Sequence, residues 1–289
     1  MLKYRMVSFP LLLALTVAVF YFDFTDSIVG KVGFPVLLAL LSVPLALEID
    51  ALLRLAGLET VGGAIPAVTV AAMVCIFPLS GRFLAVNGYD TWPVDIAETA
   101  VTTGWVVAGW LFVLLARDHG AAFRKAAGTL ASTMFVLALM MPFHIIYRIS
   151  PWWFLFFILA TKAYDTGGYI AGMLSGKLMK NGNHKLAPSI SPAKSWEGLA
   201  GGAALSLVAG CGFAAGGALG LHPAWVIALS LVLCIGSMAG DLSESALKRA
   251  CGVKDSGNLI PGMGGMLDLF DSFIYNGPVL AVVLGRIMD

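Results

Sequence analysis

Charge is what this sequence has least of. Only 12% of its 289 residues are Asp, Glu, Lys or Arg, about half the share of an average soluble domain. Hydrophobic residues make up 59% and the mean hydropathy is +0.88. So little polar surface cannot wrap a water-soluble globule, and the solvent must largely be lipid. The net charge of +1 leaves no global basic field, so nucleic acid is not an expected partner. Histidine is scarce too, and His119 and His144 stand singly, without matching partners. The four cysteines, Cys75, Cys211, Cys234 and Cys251, lie mostly in apolar stretches without C-x-x-C spacing, so neither a zinc site nor a disulfide framework follows. Internal repeats and low-complexity segments are absent. The first apolar run follows Lys3 and Arg5 as in a signal peptide, but no small-residue cleavage site closes it; it reads as a retained first span.

Long apolar runs are abundant. Windows near 20 residues predict an all-α, polytopic membrane protein with about nine transmembrane helices, at roughly 6–22, 32–48, 64–81, 99–116, 127–147, 151–174, 199–219, 223–240 and 268–287. Helices are expected rather than a barrel because the runs are long and do not alternate. With the N-terminus in the cytoplasm, thirteen Lys and Arg fall inside and four outside, Lys162 lying within a span; this is the positive-inside distribution. It puts the two richest loops, 175–198 and 241–267, on the cytoplasmic side. Residues 1–150 are expected to be transmembrane scaffold without chemistry. Residues 151–289 are expected to be the catalytic region.

The chemistry concentrates in three stretches. In the first, Lys162 and Asp165 share one apolar span at i, i+3, although an ionised residue at a helix centre costs about 2.5–3.5 kcal/mol on insertion scales. The pair could be purely structural. Thr166, Gly167 and Gly168 follow, however, and weaken a helix, so an interrupted helix lining a water-filled cavity is the preferred reading. In the second, Lys177, Lys180, Lys185 and Lys194 populate a loop stiffened by Pro188 and Pro192 around Ser189 and Ser191, suited to hold ammonium and hydroxyl groups toward a polyphosphate. In the third, a helix over 241–250 would set Asp241, Ser245 and Lys248 on one face, with Glu244 beside them and Arg249 on the flank. Lys254 and Asp255 precede a turn. Pro261-Gly262-Met263-Gly264-Gly265 then allows close backbone approach at the start of a helix carrying Asp268, Asp271 and Ser272. Such an inventory has no well-placed His or Cys nucleophile. It suits phosphoryl or nucleotidyl transfer, which depends on positioning and charge neutralisation, and hard divalent cations such as Mg²⁺.

Residues 245–271 resemble the signature of the phosphatidate cytidylyltransferase (CDP-diacylglycerol synthase) family. Ser245, Lys248, Arg249, Lys254, Asp255, Gly257, Pro261, Gly264, Gly265, Asp268 and Asp271 match in register. The stretches D-T-G-G-Y at 165–169, H-K-L-A-P-S-I-S-P-A-K-S-W-E-G at 184–198 and G-D-L-S-E-S at 240–245 also look like family segments. The resemblance is clear over about 160–278. Two positions depart: Met263 stands where the pattern has His, and Leu269 where it has Arg.

The resemblance implies a Mg²⁺-dependent enzyme joining CTP to phosphatidic acid to give CDP-diacylglycerol and pyrophosphate, in the bilayer of a bacterial inner membrane. Asp241 and Asp268 would hold the metal, with room for a second cation such as K⁺, and Lys248 and Asp271 would join them in catalysis. Lys185, Ser191, Lys194, Ser245, Arg249, Lys254, Gly264, Gly265 and Asp165 would contact substrate. A homodimer is compatible with this reading. The alternatives are a divergent or inactive relative, and a transporter with an intramembrane polar site.

Overall fold

The computed structural model describes residues 28–62, 107, 111, 113–180, 182–257 and 264–288. Its elements are α1 (Ile28–Leu55), α2 (His119–Ile149), α3 (Pro151–Leu178), β1 (Lys185–Ala187), β2 (Ser191–Ser195), α4 (Trp196–Gly216), α5 (Pro223–Ala250), α6 (Met266–Phe270) and α7 (Phe273–Met288). The expected spans at 6–22 and 64–81, and nearly all of 99–116, lie outside the described residues. The chain divides into two compact units, Met1–Met141 with Asp255–Leu267, and Pro142–Lys254 with Asp268–Asp289.

Among the described residues, four helices are long and apolar enough to cross a membrane: Val36–Leu55 within α1, α2, α4 and α5. Helix α3 has the length but is made too polar by Lys162 and Asp165, and α7 is a shorter apolar helix. The expected span over 268–287 is divided, because α6 ends at Phe270 and α7 starts at Phe273. The fold also departs from all-α. Residues 175–198 form no irregular loop: α3 continues to Leu178, and a two-stranded antiparallel hairpin pairs Lys185 with Ser195 and Ala187 with Ser191.

In the first unit, α1 ends where Gly57 takes a left-handed φ of 81° and donates its N–H to the Arg54 carbonyl, a helix stop that suits glycine. The segment beyond it is tied down by polar contacts. Asp50 pairs with Arg54 at 3.1 Å and accepts from Thr60, and the Val61 N–H reaches Thr129 Oγ1 at 2.8 Å.

In the second unit, α3 opens on Ser150, whose side chain accepts from the Trp152 N–H, with Pro151 in the first turn. Gly167 and Gly168 do not interrupt α3. They pack it against α4: a Cβ at Gly167 would meet the Gly201 carbonyl, and one at Gly202 would meet the Tyr164 ring and carbonyl. Small residues allow such close approach between helices where lipid offers no hydrophobic drive for association. Buried polar groups join the helices further. The Asn276 amide of α7 donates to Thr161 Oγ1 at 3.0 Å, Leu233 O at 2.8 Å and Ser237 Oγ at 2.8 Å, clamping α3, α5 and α7. Phe143, Phe157 and Phe273 stack edge-to-face with centroids 5.1–5.2 Å apart, beneath the α6–α7 junction.

The α3–α4 contact yields a prediction. Gly202→Ala should lower thermal stability in detergent by about 1–3 kcal/mol, the usual cost of overpacking. Gly212→Ala on the same helix, where a new Cβ meets nothing within 4 Å, should leave melting unchanged or raise it. Equal effects of the two would remove the close-packing account.

Candidate active site

The site is built where α3, β2, α5 and the α6–α7 junction of the second unit meet. Helix α5 runs unbroken to Ala250, so the expected one-face arrangement of Asp241, Ser245 and Lys248 rests on real helix. Gly240 lets α5 touch the backbone at 271–272, since a Cβ there would collide with the Asp271 carbonyl. Asp241, the next residue, pairs with Lys194 of β2. One helical turn on, Glu244 is 2% exposed, and its Oε2 lies 2.6 Å from Lys248 Nζ. The same ammonium reaches Asp268 Oδ1 at 2.6 Å. Lys248 thus bridges a carboxylate of its own helix and one on α6.

Lys162 is a second hub. Its Nζ donates to Asp165 Oδ2 at 2.9 Å, Ser272 Oγ at 2.7 Å and the Leu269 carbonyl at 3.1 Å, and sits 4.8 Å from the Phe273 ring centroid. Ser272 Oγ lies 3.1 Å from Asp165 Oδ2 as well. The ion pair read from the sequence therefore forms, and it fastens α3 to the α6–α7 junction. Where the family pattern would have Arg at 269, an ammonium from α3 stands against that residue's backbone instead.

The hairpin delivers Lys194. His184 and Glu197 clasp its base: the His184 N–H and ring both reach the Glu197 carboxylate, and the Trp196 N–H donates to the His184 carbonyl. Ser195 caps α4 through the Gly198 N–H. Burial pushes the Lys194 ammonium below its ordinary lysine value, against the opposing pull of Asp271, Asp165 and Glu244.

The remaining predicted residues are more dispersed. Ser191 and Ser245 are half-buried on β2 and α5. Arg249 is exposed, and its guanidinium donates to the Val253 carbonyl at 3.3 Å, closing the end of α5. Lys254 is exposed in the turn beyond. Lys185 is exposed on β1 and lines a cleft of about 530 Å³ with Gly168, Tyr169, Gly172, Asn183 and Ala193, a volume within the usual range for small-molecule sites. Gly264, at φ 98°, and Gly265 belong to the first unit. Met263 lies outside the described residues.

Five carboxylates and three ammonium groups gather here: Lys194 pairs with Asp241, Lys248 with Glu244 and Asp268, Lys162 with Asp165, and Asp271 accepts from the Ser272 N–H. Among the described residues, no hydrogen-bond donor meets Glu244 Oε1 or Asp165 Oδ1, and no three acidic or imidazole side chains converge on one point. Carboxylate oxygens are the donors that a hard divalent cation prefers. One or two carboxylates plus substrate phosphate and water make up the usual Mg²⁺ shell, so Asp241 and Asp268 could hold such an ion without a dedicated cage. The sequence pointed to both aspartates. It did not separate Glu244, Ser272 and Asn276 from their neighbours, because only burial marks them.

These features define a class: a mostly helical protein with helices long and apolar enough to cross a membrane and a cluster of paired acidic and basic side chains among them. The chain belongs to the Cytidylyltransferase family, whose profile matches residues 3–286. It is similar to curated proteins named phosphatidate cytidylyltransferase. The Bacillus subtilis (strain 168) protein is 43% identical over 120 residues, 42% of each chain. The Staphylococcus haemolyticus protein is 38% identical over 162 residues, 56% of this chain and 60% of the relative. The Staphylococcus saprophyticus protein is 41% identical over 133 residues, 46% of this chain and 49% of the relative. The chain thus spans about half the length of the curated relatives it matches.

Lys248→Met should destabilise the protein by about 3–5 kcal/mol, because it leaves buried Glu244 without its counter-charge. Adding Glu244→Gln should recover part of that loss, a coupling that a double-mutant cycle of melting in detergent would register. Strict additivity would deny the pair.

Proposed function

We propose that the chain is a phosphatidate cytidylyltransferase, converting CTP and phosphatidic acid to CDP-diacylglycerol and pyrophosphate. The observation that carries this reading is the pairing of Lys194 with Asp241 and of Lys248 with Asp268 at half-buried positions of one unit, on a chain of the Cytidylyltransferase family. A triphosphate and a phosphomonoester can be brought together only where cationic side chains and a metal offset their repulsion.

The phosphatidate phosphate attacks the α-phosphorus of CTP, a new P–O bond forms, and the bond to the β-phosphate breaks to release pyrophosphate. A phosphomonoester has a second pKa of about 6, so it is already nucleophilic near neutral pH and needs no strong general base. Lys194 and Lys248 bind phosphate oxygens. Lys185, Arg249 and Lys254 extend the cationic track toward the triphosphate, and Ser191 and Ser245 donate hydrogen bonds. Asp165 and Asp271 orient Lys162 and Lys194. Asp241 and Asp268 would hold Mg²⁺, which would supply charge neutralisation at the reacting phosphates. A second cation such as K⁺ would add to that neutralisation.

The site faces the cytoplasm, where CTP is, in a multi-pass protein of the bacterial inner membrane; the asymmetry of Lys and Arg between the two sides supports this orientation. The cleft beside Lys185 has room for a nucleoside.

Detergent-purified protein incubated with phosphatidate, Mg²⁺ and each nucleoside triphosphate in turn should release pyrophosphate with CTP alone. Asp268→Asn should abolish that release while retaining the cooperative melt of a folded protein. A near-normal rate in the variant would remove Asp268 from the mechanism, and flux across sealed vesicles without CTP consumption would replace the enzyme reading with transport.

A further inference from the structure

Helix α1 carries a carboxylate that neither the sequence pattern nor the proposed chemistry uses. Glu48 lies in the apolar run Val36–Leu55, where an ionised side chain is costly and by default marks a functional position. Its neighbours on the same helix, Asp50 and Arg54, are spent on the adjoining segment through Thr60. Glu48 instead reaches a stretch more than two hundred residues later in the sequence. Its Oε1 accepts the Met266 N–H at 2.7 Å, and its Oε2 accepts the Leu267 N–H at 2.9 Å and the Ser256 hydroxyl at 3.3 Å. The two amides are the first of α6, which have no partner within their own helix.

The glycines of the segment respond to the same carboxylate. A Cβ at Gly257 would lie 2.6 Å from Glu48 Oε1, and one at Gly265 would run into Glu48 Oε2 and the Ser256 hydroxyl. Two glycines of the 245–271 motif are therefore glycines because an acid from the first unit occupies the space beside them. One side chain thus bonds Ser256, Met266 and Leu267, with Gly257 and Gly265 packed beside it.

We propose that Glu48 is a positioning residue for the first turn of α6. Its carboxylate ties that turn to Ser256 and fixes the two amides that Asp268 follows immediately. The contact is charge-assisted and bidentate, the form that best defines geometry. Its kinetic consequence rests on the phosphatidate cytidylyltransferase reading; the clasp itself does not.

The test is Glu48→Gln, which keeps the shape but has a single acceptor oxygen, beside Glu48→Ala. Amide hydrogen exchange at Met266 and Leu267 in detergent should speed up about tenfold or more in both variants, with exchange in α4 unchanged. The kcat for CTP-dependent pyrophosphate release should fall about tenfold or more while the KM for phosphatidate stays within about twofold, the signature of lost positioning rather than lost binding. Should Glu48→Ala fail to fold, Glu48→Gln still decides both readouts. Unchanged exchange at the two amides would overturn the clasp. Faster exchange with an unchanged kcat would overturn the positioning role. If the wild-type protein released no pyrophosphate from any nucleotide, the functional reading would fall, and amide exchange would still judge the clasp.

Discussion

Ionised groups inside an apolar protein must find opposite charge or be given up, and this constraint organises the second unit. Five carboxylates and three ammonium groups gather there, and each close pair crosses from one element to another or spans a single helical turn. Lys194 brings the hairpin to α5, Lys248 brings α5 to α6, and Lys162 brings α3 to the α6–α7 junction. A low local dielectric makes each pair stronger and each unpaired group dearer. The same contacts that assemble the unit therefore also gather its acidic and basic side chains in one region.

The helices that carry these groups are joined by devices other than apolar burial. In lipid, apolar side chains gain little by leaving their surroundings, so close backbone approach and shared hydrogen bonds must do the joining. Gly167, Gly201 and Gly202 bring α3 and α4 together, and one Asn276 amide serves three partners on two other helices. Phe143, Phe157 and Phe273 then set the α6–α7 junction on an aromatic floor. Among the described residues, buried Ser206, Ser272 and Asn276 each hold two or more elements at once.

Much of the candidate site was legible before any coordinates. Asp241, Lys248, Asp268 and Lys194 stood out because charge in so apolar a chain is expensive and their spacing resembled a long signature. The expected interruption of α3 at Gly167 was mistaken for a local reason: glycine lowers helix propensity, but here the neighbouring helix fills the space that a side chain would take. The hairpin at 185–195 was equally hidden, since its strands are short and contain Pro192, and the His184–Glu197 clasp at its base joins residues thirteen positions apart. Glu48 was passed over as scaffold because its partners lie two hundred positions away.

Composition and local pattern alone determined the helical, lipid-facing character of the chain, the stretches that hold its chemistry and the acidic and basic residues of the signature. These follow from the energetic cost of charge in lipid and from helical periodicity, both of which act over a few turns. Only the tertiary structure decided which lysine answers which carboxylate, which glycines serve close contact, and that an acid on α1 fixes the segment before Asp268. Such pairings depend on distances between residues far apart in the chain, and the order of amino acids does not state those distances until the helices have packed.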